Sequence, residues 1–371
     1  MRICFVADAA DIHTQRWAGY FANKGDDVHI ISFDEPSEDL ENINLHVLRT
    51  VGTKITVLKY TINPLYVLKQ LKRLIKEIKP DIIHGHAVRD HTIIAALTGF
   101  HPFVVTAWGS DVLIYPKESK VMKYAIPFTL RRADVITCDG ANSKDAMIEM
   151  GIDDEKIKTI FHGIDTKKFS PSHKDEKIVN EFGIFNSPTV ISTRRMGPIH
   201  DVGTLIMAVP LVLREIPDAK FIIVGGGEQK EYLMDLAKSL DVFYATRFVG
   251  WISNDKLPRY LASVDVYVST SLSDSGLAAS TAEAMACGLP VVITDFGDNR
   301  KWVEDGVNGF TVPLKDPKSL AEKIIYLLKN KDGRMEFGRR NRKVIEERSN
   351  HYKEMAKMEN IYIDLVKRYK S

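Results

Sequence analysis

Residues 271–292 read SLSDSGLAASTAEAMACGLPVV. A β-branched run over 264–269 precedes them, and Ser275-Gly276-Leu277 make a small-residue turn. A helix is expected from Ala278 or Ala279, with Gly288-Leu289-Pro290 as its stop and the start of the next strand. Strand, turn and helix start together form an anion site. The first N–H groups of a helix have no intrahelical partner, and its dipole adds about half a positive charge, which favours a diphosphate. Glu283 follows Ser280 by one turn, where it can reach ribose hydroxyls. The plainer reading gives the alanines to close helix–sheet packing and leaves Glu283 a solvated helix residue.

Outward from this stretch, short apolar runs alternate with helical patterns about a dozen residues long, the mark of parallel βαβ units. Strands are expected over 3–7, 28–32, 45–48, 81–84, 103–106, 135–137 and 157–161, then over 189–193, 220–224, 247–249, 264–269, 290–294 and 309–312. Between the two series lies a charged stretch, GIDTKKFSPSHKDEKIVNEFGIFNSP, and after Pro317 the pattern is helical to the end. The fold class is therefore α/β, with two doubly wound parallel-sheet domains and a cleft between them. The expected division is 1–168, a linker over 169–187, 188–349, and a C-terminal helix, 350–371, that packs back on the first domain. Ligands are expected in loops beyond the carboxyl ends of the strands.

Composition narrows the function classes. The chain has 371 residues, 44% hydrophobic and 27% charged, which suits a globular protein of two domains. A net charge of +2 gives no field that would favour nucleic acid. Cys4, Cys138 and Cys287 are far apart, have no CxxC spacing, and fit a reducing compartment better than structural zinc. Asp8 and Asp11 break any signal-peptide core, and no apolar run reaches the ~18 residues of a spanning helix. A cytoplasmic protein is expected, with peripheral contact at the inner membrane face as an option. The basic amphipathic stretch 64–79 carries Lys69, Lys72, Arg73 and Lys76 beside a leucine-rich face, and reads either as a sheet-covering helix or as a lipid-surface helix.

AEAMACGLPVVITDFGDNRKWVEDGVNGFTVP resembles the donor-binding region of glycosyltransferase family 4, retaining enzymes of the GT-B fold, two Rossmann-like domains. VITCDGANSKDAMIEMGIDDEKIKTIFHGIDTKKFSP, ISTRRMGPIHDVGTLI, FIIVGGGEQK and RFVGWISNDKLPRYLASVDVYVSTS continue the match in the family's order. His162-Gly163-Ile164-Asp165 stand where Asn-Gly-Val-Asp is usual.

The resemblance implies a metal-independent hexosyltransferase-type enzyme. It uses no cofactor beyond a nucleotide diphosphate sugar as donor, UDP being the default, and acts on a glycan, lipid-linked or small-molecule acceptor. It assigns Arg195 to the pyrophosphate, a role suited to a permanently charged, multidentate donor. It assigns Glu283 to the ribose, and Trp251 and Ile252 to the wall around the base, against ordinary core packing for their side chains. Gly225 to Gly227 read as a turn near the donor. In the first domain Asp11 is expected to cap a helix while His13 points into the cleft, and Asp111 is a polar candidate for the same cleft.

Three positions depart from the family. Ser275 replaces the first carboxylate of Glu-x7-Glu, leaving the backbone N–H groups of Gly276 and Leu277 to serve. His200 replaces the pyrophosphate lysine, and two phosphates would hold it protonated. Trp108 replaces a histidine, and either stacks on a sugar or base or fills the wall. His84 and His86 have an i,i+2 spacing that invites a metal, but the resembled family needs none. The same architecture also serves UDP-sugar 2-epimerases, and a non-catalytic sugar-nucleotide-binding subunit is the third reading.

Overall fold

The computed structural model describes residues 1–36, 39–49, 55–57, 60–62, 64–181 and 187–370. They form two compact units, Met1–His162 with Glu354–Ser371, and Gly163–Lys353.

The first unit contains β1 (Arg2–Val6), β2 (Asp27–Ser32), β3 (Ile43–Val47), β4 (Ile55–Val57), β5 (Tyr60–Ile62), β6 (Ile82–His86), β7 (Phe103–Ala107), β8 (Val135–Cys138) and β9 (Ile157–Thr159). Seven of them make a parallel sheet in the order β3-β2-β1-β6-β7-β8-β9, and β4 and β5 pair as a separate antiparallel hairpin that the apolar pattern does not mark. Alternate residues of each central strand face opposite layers. Ile3 and Phe5 pack with Trp17, Phe21, Met355 and Tyr362, while Cys4 and Val6 pack with Leu71, Ile94 and Met147. Both faces are covered, which is why the strands are continuous apolar runs in the sequence.

In the C-terminal helix, His351–Lys370, Met355, Met358, Tyr362 and Leu365 recur at helical spacing and are buried in this unit. The Glu354 carboxylate accepts from the Phe161 N–H at 3.0 Å.

The second unit contains β10 (Thr189–Ser192), β11 (Lys220–Val224), β12 (Thr246–Gly250), β13 (Val266–Ser269), β14 (Val291–Thr294) and β15 (Gly309–Val312), all parallel in the order β12-β11-β10-β13-β14-β15. Val190, Phe221, Ile223, Val268 and Val292 share one core with the helices Val202–Glu215 and Pro317–Lys329. Residues 169–181 of the expected linker lie in this unit rather than standing between domains. Phe169 is buried and its carbonyl accepts from Arg342, and the Asp175 N–H donates to Ser263 Oγ at 3.0 Å. Residues 182–186 of that segment lie outside the described residues. A Cβ on Gly338 would stand 2.0 Å from the Gly288 carbonyl oxygen, so the helix Lys331–Arg348 crosses the end of the quoted motif at backbone contact.

Each sheet reverses its strand order once, between β1 and β6 in the first unit and between β10 and β13 in the second. Loops leaving the two strands at such a point diverge and open a crevice at their carboxyl ends. Those are the loops of residues 7–11 and 87–89, and of residues 193–201 and 270–278.

Candidate functional site

In the second unit, β13 leads through residues 270–278 into the helix Ala279–Ala286. Gly276 has φ +55°, a left-handed conformation that suits glycine and turns the chain into the helix. Ser275, Gly276 and Leu277 are buried in this turn. Ala278 is the N-cap and, as an alanine, offers no side-chain oxygen to the first amides of the helix, which are suited to an anionic acceptor. Glu283 is buried at 5% exposure, which removes the reading of a solvated helix residue.

The neighbouring loop, after β10, is held to β11 by glycines. Gly227, at φ +153°, would place a Cβ 2.3 Å from the Met196 carbonyl oxygen, and a Cβ on Gly225 would be 3.0 Å from that of Arg194. The Met196 N–H donates to Gly226 O at 2.9 Å. The Gly225–Gly227 turn therefore seats the arginine loop by backbone approach.

Arg195, expected at the pyrophosphate, is exposed and its Nη2 meets Glu228 Oε2 at 3.2 Å. A surface pair of this kind is worth little, so the guanidinium is readily released to another anion. Arg194, which the sequence reading passed over, is buried. Its Nη2 donates to Asp274 Oδ1 at 2.5 Å and to His200 Nδ1 at 3.2 Å, and its Nη1 donates to Ser280 Oγ at 3.0 Å. These bonds tie the β10 loop to the β13 loop and to the first turn of the helix.

His200 ends a short 3-10 turn, Pro198–His200. Burial, with Arg194 and Arg195 beside it, pushes its pKa down to about 3. The protein by itself therefore holds this imidazole neutral, opposite to the protonated state expected from its position, and a pyrophosphate would have to outweigh both desolvation and two guanidinium charges. Arginine only donates, so Nδ1 is the acceptor and the ring proton sits on Nε2. Trp251, after β12, is 76% exposed, which excludes core packing for its side chain, and Ile252 is half-buried.

In the first unit, Asp11 caps the helix Ile12–Asn23 and accepts from the N–H groups of His13 and Thr14 at 2.7 and 3.2 Å. His13 lies 4.2 Å from the ring of His162 and 5.5 Å from that of Trp108. Trp108 stacks on His162 at 4.5 Å and 14°, with Trp17 and His86 edge-on to it. One face of Trp108 is therefore taken, so that face is a wall and not a platform for a sugar. His162, at the Asn position of the resembled motif, pairs its Nε2 with Asp139 at 2.9 Å, and its Nδ1 is buried without a partner among the described residues. Burial pushes the pKa of His13 well down, helped by His162, Arg16 and His86.

Asp111 does not face outward. It is 1% exposed, and its oxygens accept from the N–H groups of Val88 at 2.7 Å and Trp108 at 3.1 Å. It fixes the Trp108 loop, and burial raises its pKa. His84 uses both ring nitrogens, on the Tyr362 hydroxyl and on Thr106 Oγ1 at 2.7 Å, and presents no lone pair to a metal. Among the described residues no group of three or more His, Cys, Asp or Glu is arranged to hold a metal ion. Asp90, opening the helix Asp90–Thr98 after β6, is 3% exposed, and neither of its oxygens is hydrogen-bonded to a described residue.

Of the predicted residues, Arg195, His200, Ser275, Gly276, Leu277, Gly225 and Glu283 belong to the switch-point loops of the second unit and the elements that seat or follow them. Trp251 and Ile252 follow β12 on the other side of β11. His13 and Trp108 belong to the first unit. Sequence spacing does not show the roles of Arg194 and Asp274 or the pairing of His162 with Asp139; the adjacent arginines in STRRM are a local signal for Arg194 alone, and the departure from Asn at His162 is the signal for that pair.

Known proteins bear on this arrangement. The model described as "Glycosyl transferase 4-like" matches residues 2–140, and "Glycosyl transferases group 1" matches residues 174–344. The chain is 25% identical over 359 residues to the N-acetyl-alpha-D-glucosaminyl L-malate synthase of Bacillus anthracis, covering 93% of this chain and 91% of that one. It is 26% identical to an Escherichia coli UDP-Gal:alpha-D-GlcNAc-diphosphoundecaprenol alpha-1,3-galactosyltransferase, over 81% of this chain and 79% of the relative. Anabaena HepE, solved in complex with UDP and glucose, superposes with a TM-score of 0.83 at 19% identity, covering 97% and 99% of the two chains. The two matched regions together take in most of both sheets, and the chain belongs to the glycosyl transferases group 1 family, as a glycosyltransferase of the GT-B fold.

Proposed function

We propose that this glycosyltransferase takes its sugar from a nucleotide diphosphate donor, a UDP-sugar by default, and passes it with retention of configuration to a hydroxyl of a glycan, lipid-linked or small-molecule acceptor. The observation that carries the reading is the uncapped start of the helix Ala279–Ala286, set between an arginine loop and the buried Glu283 at the β10/β13 switch point. The UDP in HepE and the UDP-Gal and diphosphoundecaprenol in the name of the E. coli relative support a nucleotide donor and a glycan acceptor.

In this reading the diphosphate lies on the first amides of that helix, Arg195 leaves Glu228 for it, and Glu283 meets the ribose. The bond from the anomeric carbon to the diphosphate oxygen breaks while the acceptor oxygen bonds to the same face, and the departing diphosphate takes the acceptor's proton. Amides and guanidinium stabilise the charge that grows on the leaving group, and loss of one such donor lowers rate by on the order of 10² to 10³. No metal and no further cofactor is required. The exposed basic face of the helix Pro64–Ile78, with Leu65 80% exposed beside Lys69, Lys72, Arg73 and Lys76, supports contact with an anionic membrane surface.

The test is a thermal-shift screen of UDP-, GDP-, ADP- and dTDP-sugars with and without EDTA. A ligand at 100 times its Kd stabilises a protein by about 2.7 kcal/mol, so one nucleotide series is expected to raise Tm by several degrees, unchanged by EDTA. No shift with any of them, or a shift that EDTA abolishes, would contradict the reading.

A further inference from the structure

The buried guanidinium of Arg194 carries more donors than its protein partners use. Its Nη2 serves Asp274 and His200, and its Nη1 serves Ser280 with one hydrogen. Its Nε is buried with no partner among the described residues, and Nη1 retains a second hydrogen. Ser192 Oγ, at the end of β10, is likewise buried and unpartnered. Ser280 Oγ accepts from both Arg194 and the Tyr267 hydroxyl, each at 3.0 Å, so its own hydrogen is directed elsewhere. Unmet donors thus gather at the end of β10 and the start of the helix Ala279–Ala286, the place proposed for the diphosphate.

The second feature is charge. His200 stands where the resembled family carries a lysine. Buried against a guanidinium, the ring is a neutral acceptor at Nδ1 and a neutral donor at Nε2. The positive charge missing from position 200 is present 3.2 Å away, on Arg194.

We propose that Arg194 supplies the second permanent positive charge for the donor's diphosphate, beside Arg195, with His200 as a neutral Nε2–H donor and Asp274 as the counter-ion that holds Arg194 in place. The inference rests on the diphosphate reading of this site. A carboxylate partner keeps the guanidinium folded into the protein without cancelling its hydrogen-bond donors, and a dianionic diphosphate then meets a preformed cation instead of a flexible lysine.

The experiment is titration calorimetry with UDP, or with GDP if the wild type prefers it, at one pH and salt concentration. Arg194→Gln is expected to weaken binding about ten- to a hundredfold, the range of one charge-assisted contact. Arg194→Gln/Asp274→Asn removes the ion pair without stranding a buried charge, so it keeps the fold, as thermal melting checks, and is expected to remain weak. Arg194→Gln/His200→Lys moves the charge to position 200 and is expected to regain most of the lost affinity. Wild-type affinity in the Arg194/Asp274 double variant would show that Arg194 serves only Asp274 and overturns the inference while leaving the diphosphate reading intact. A wild type that binds neither nucleotide overturns that reading and the inference with it.

Discussion

Asp90 holds a carboxylate that no donor among the described residues meets. Burial pushes its pKa up from 3.8 to about 6, against the opposing charge of Arg89. A folded pKa above the unfolded one means that ionisation disfavours the folded state: the penalty is absent below pH 3.8, grows up to about pH 6 and is complete above it. A rise of that size corresponds to about 3 kcal/mol. Asp90→Asn is therefore expected to raise Tm at pH 8 relative to its effect at about pH 3.5, where the wild-type side chain is already largely neutral. Equal effects at the two pH values would mean that the carboxylate has a partner in solution. His84 runs the other way: its folded pKa of about 3 lies below the unfolded value, so its contribution to stability is lost as pH falls below about 6.5, equally in wild type and variant.

Legibility in the sequence depends on how local a side chain's partners are. The turn at Ser275 and the helix that carries Glu283 are legible because their start and stop are written locally, whereas Arg195 and His200 are singled out only by the family resemblance. Arg194 is not legible, because its partners Asp274 and Ser280 lie 80 and 86 residues away in sequence. Asp111 is placed in the right loop but with the wrong direction: spacing locates a side chain after a strand end, and only the amides of Val88 and Trp108 show that it turns inward.

Among the elements, the strands are legible to within two residues because both sheet faces are covered and the runs are uniformly apolar. The β4–β5 hairpin is missed because two three-residue strands are too short to show a period. The helix Pro64–Ile78 reads two ways, and its geometry accommodates both. Val67, Leu71 and Ile78 are buried in the first unit, while Leu65 and the basic side chains are outside. Anionic vesicles containing phosphatidylglycerol are expected to cosediment with the wild type at low ionic strength and to release it at high salt. Reversing Lys69, Lys72, Arg73 and Lys76 to glutamate is expected to abolish the association. Binding that is equal on neutral vesicles, or unchanged in that variant, would remove this helix from any membrane role.

For the molecule as a whole, the chain passes from one compact unit to the other at His162/Gly163 and returns at Lys353/Glu354. Each unit has its own core and its own switch point, so the double alternation of strands and helices is enough to read two doubly wound domains from the sequence. The allocation of residues 169–181 is not legible. Their charged composition resembles a linker, and what fixes them to the second unit is the distant Arg342 and Ser263. The proposed donor site lies at the second switch point, and it is tested most directly by a crystal structure of the protein soaked with the nucleotide diphosphate that stabilises it. Diphosphate oxygens are expected within hydrogen-bond distance of the first amides of the helix Ala279–Ala286 and of Arg195, with the ribose hydroxyls on Glu283. A nucleotide bound elsewhere, with those amides and Glu283 untouched, would contradict the assignment of this site to the donor.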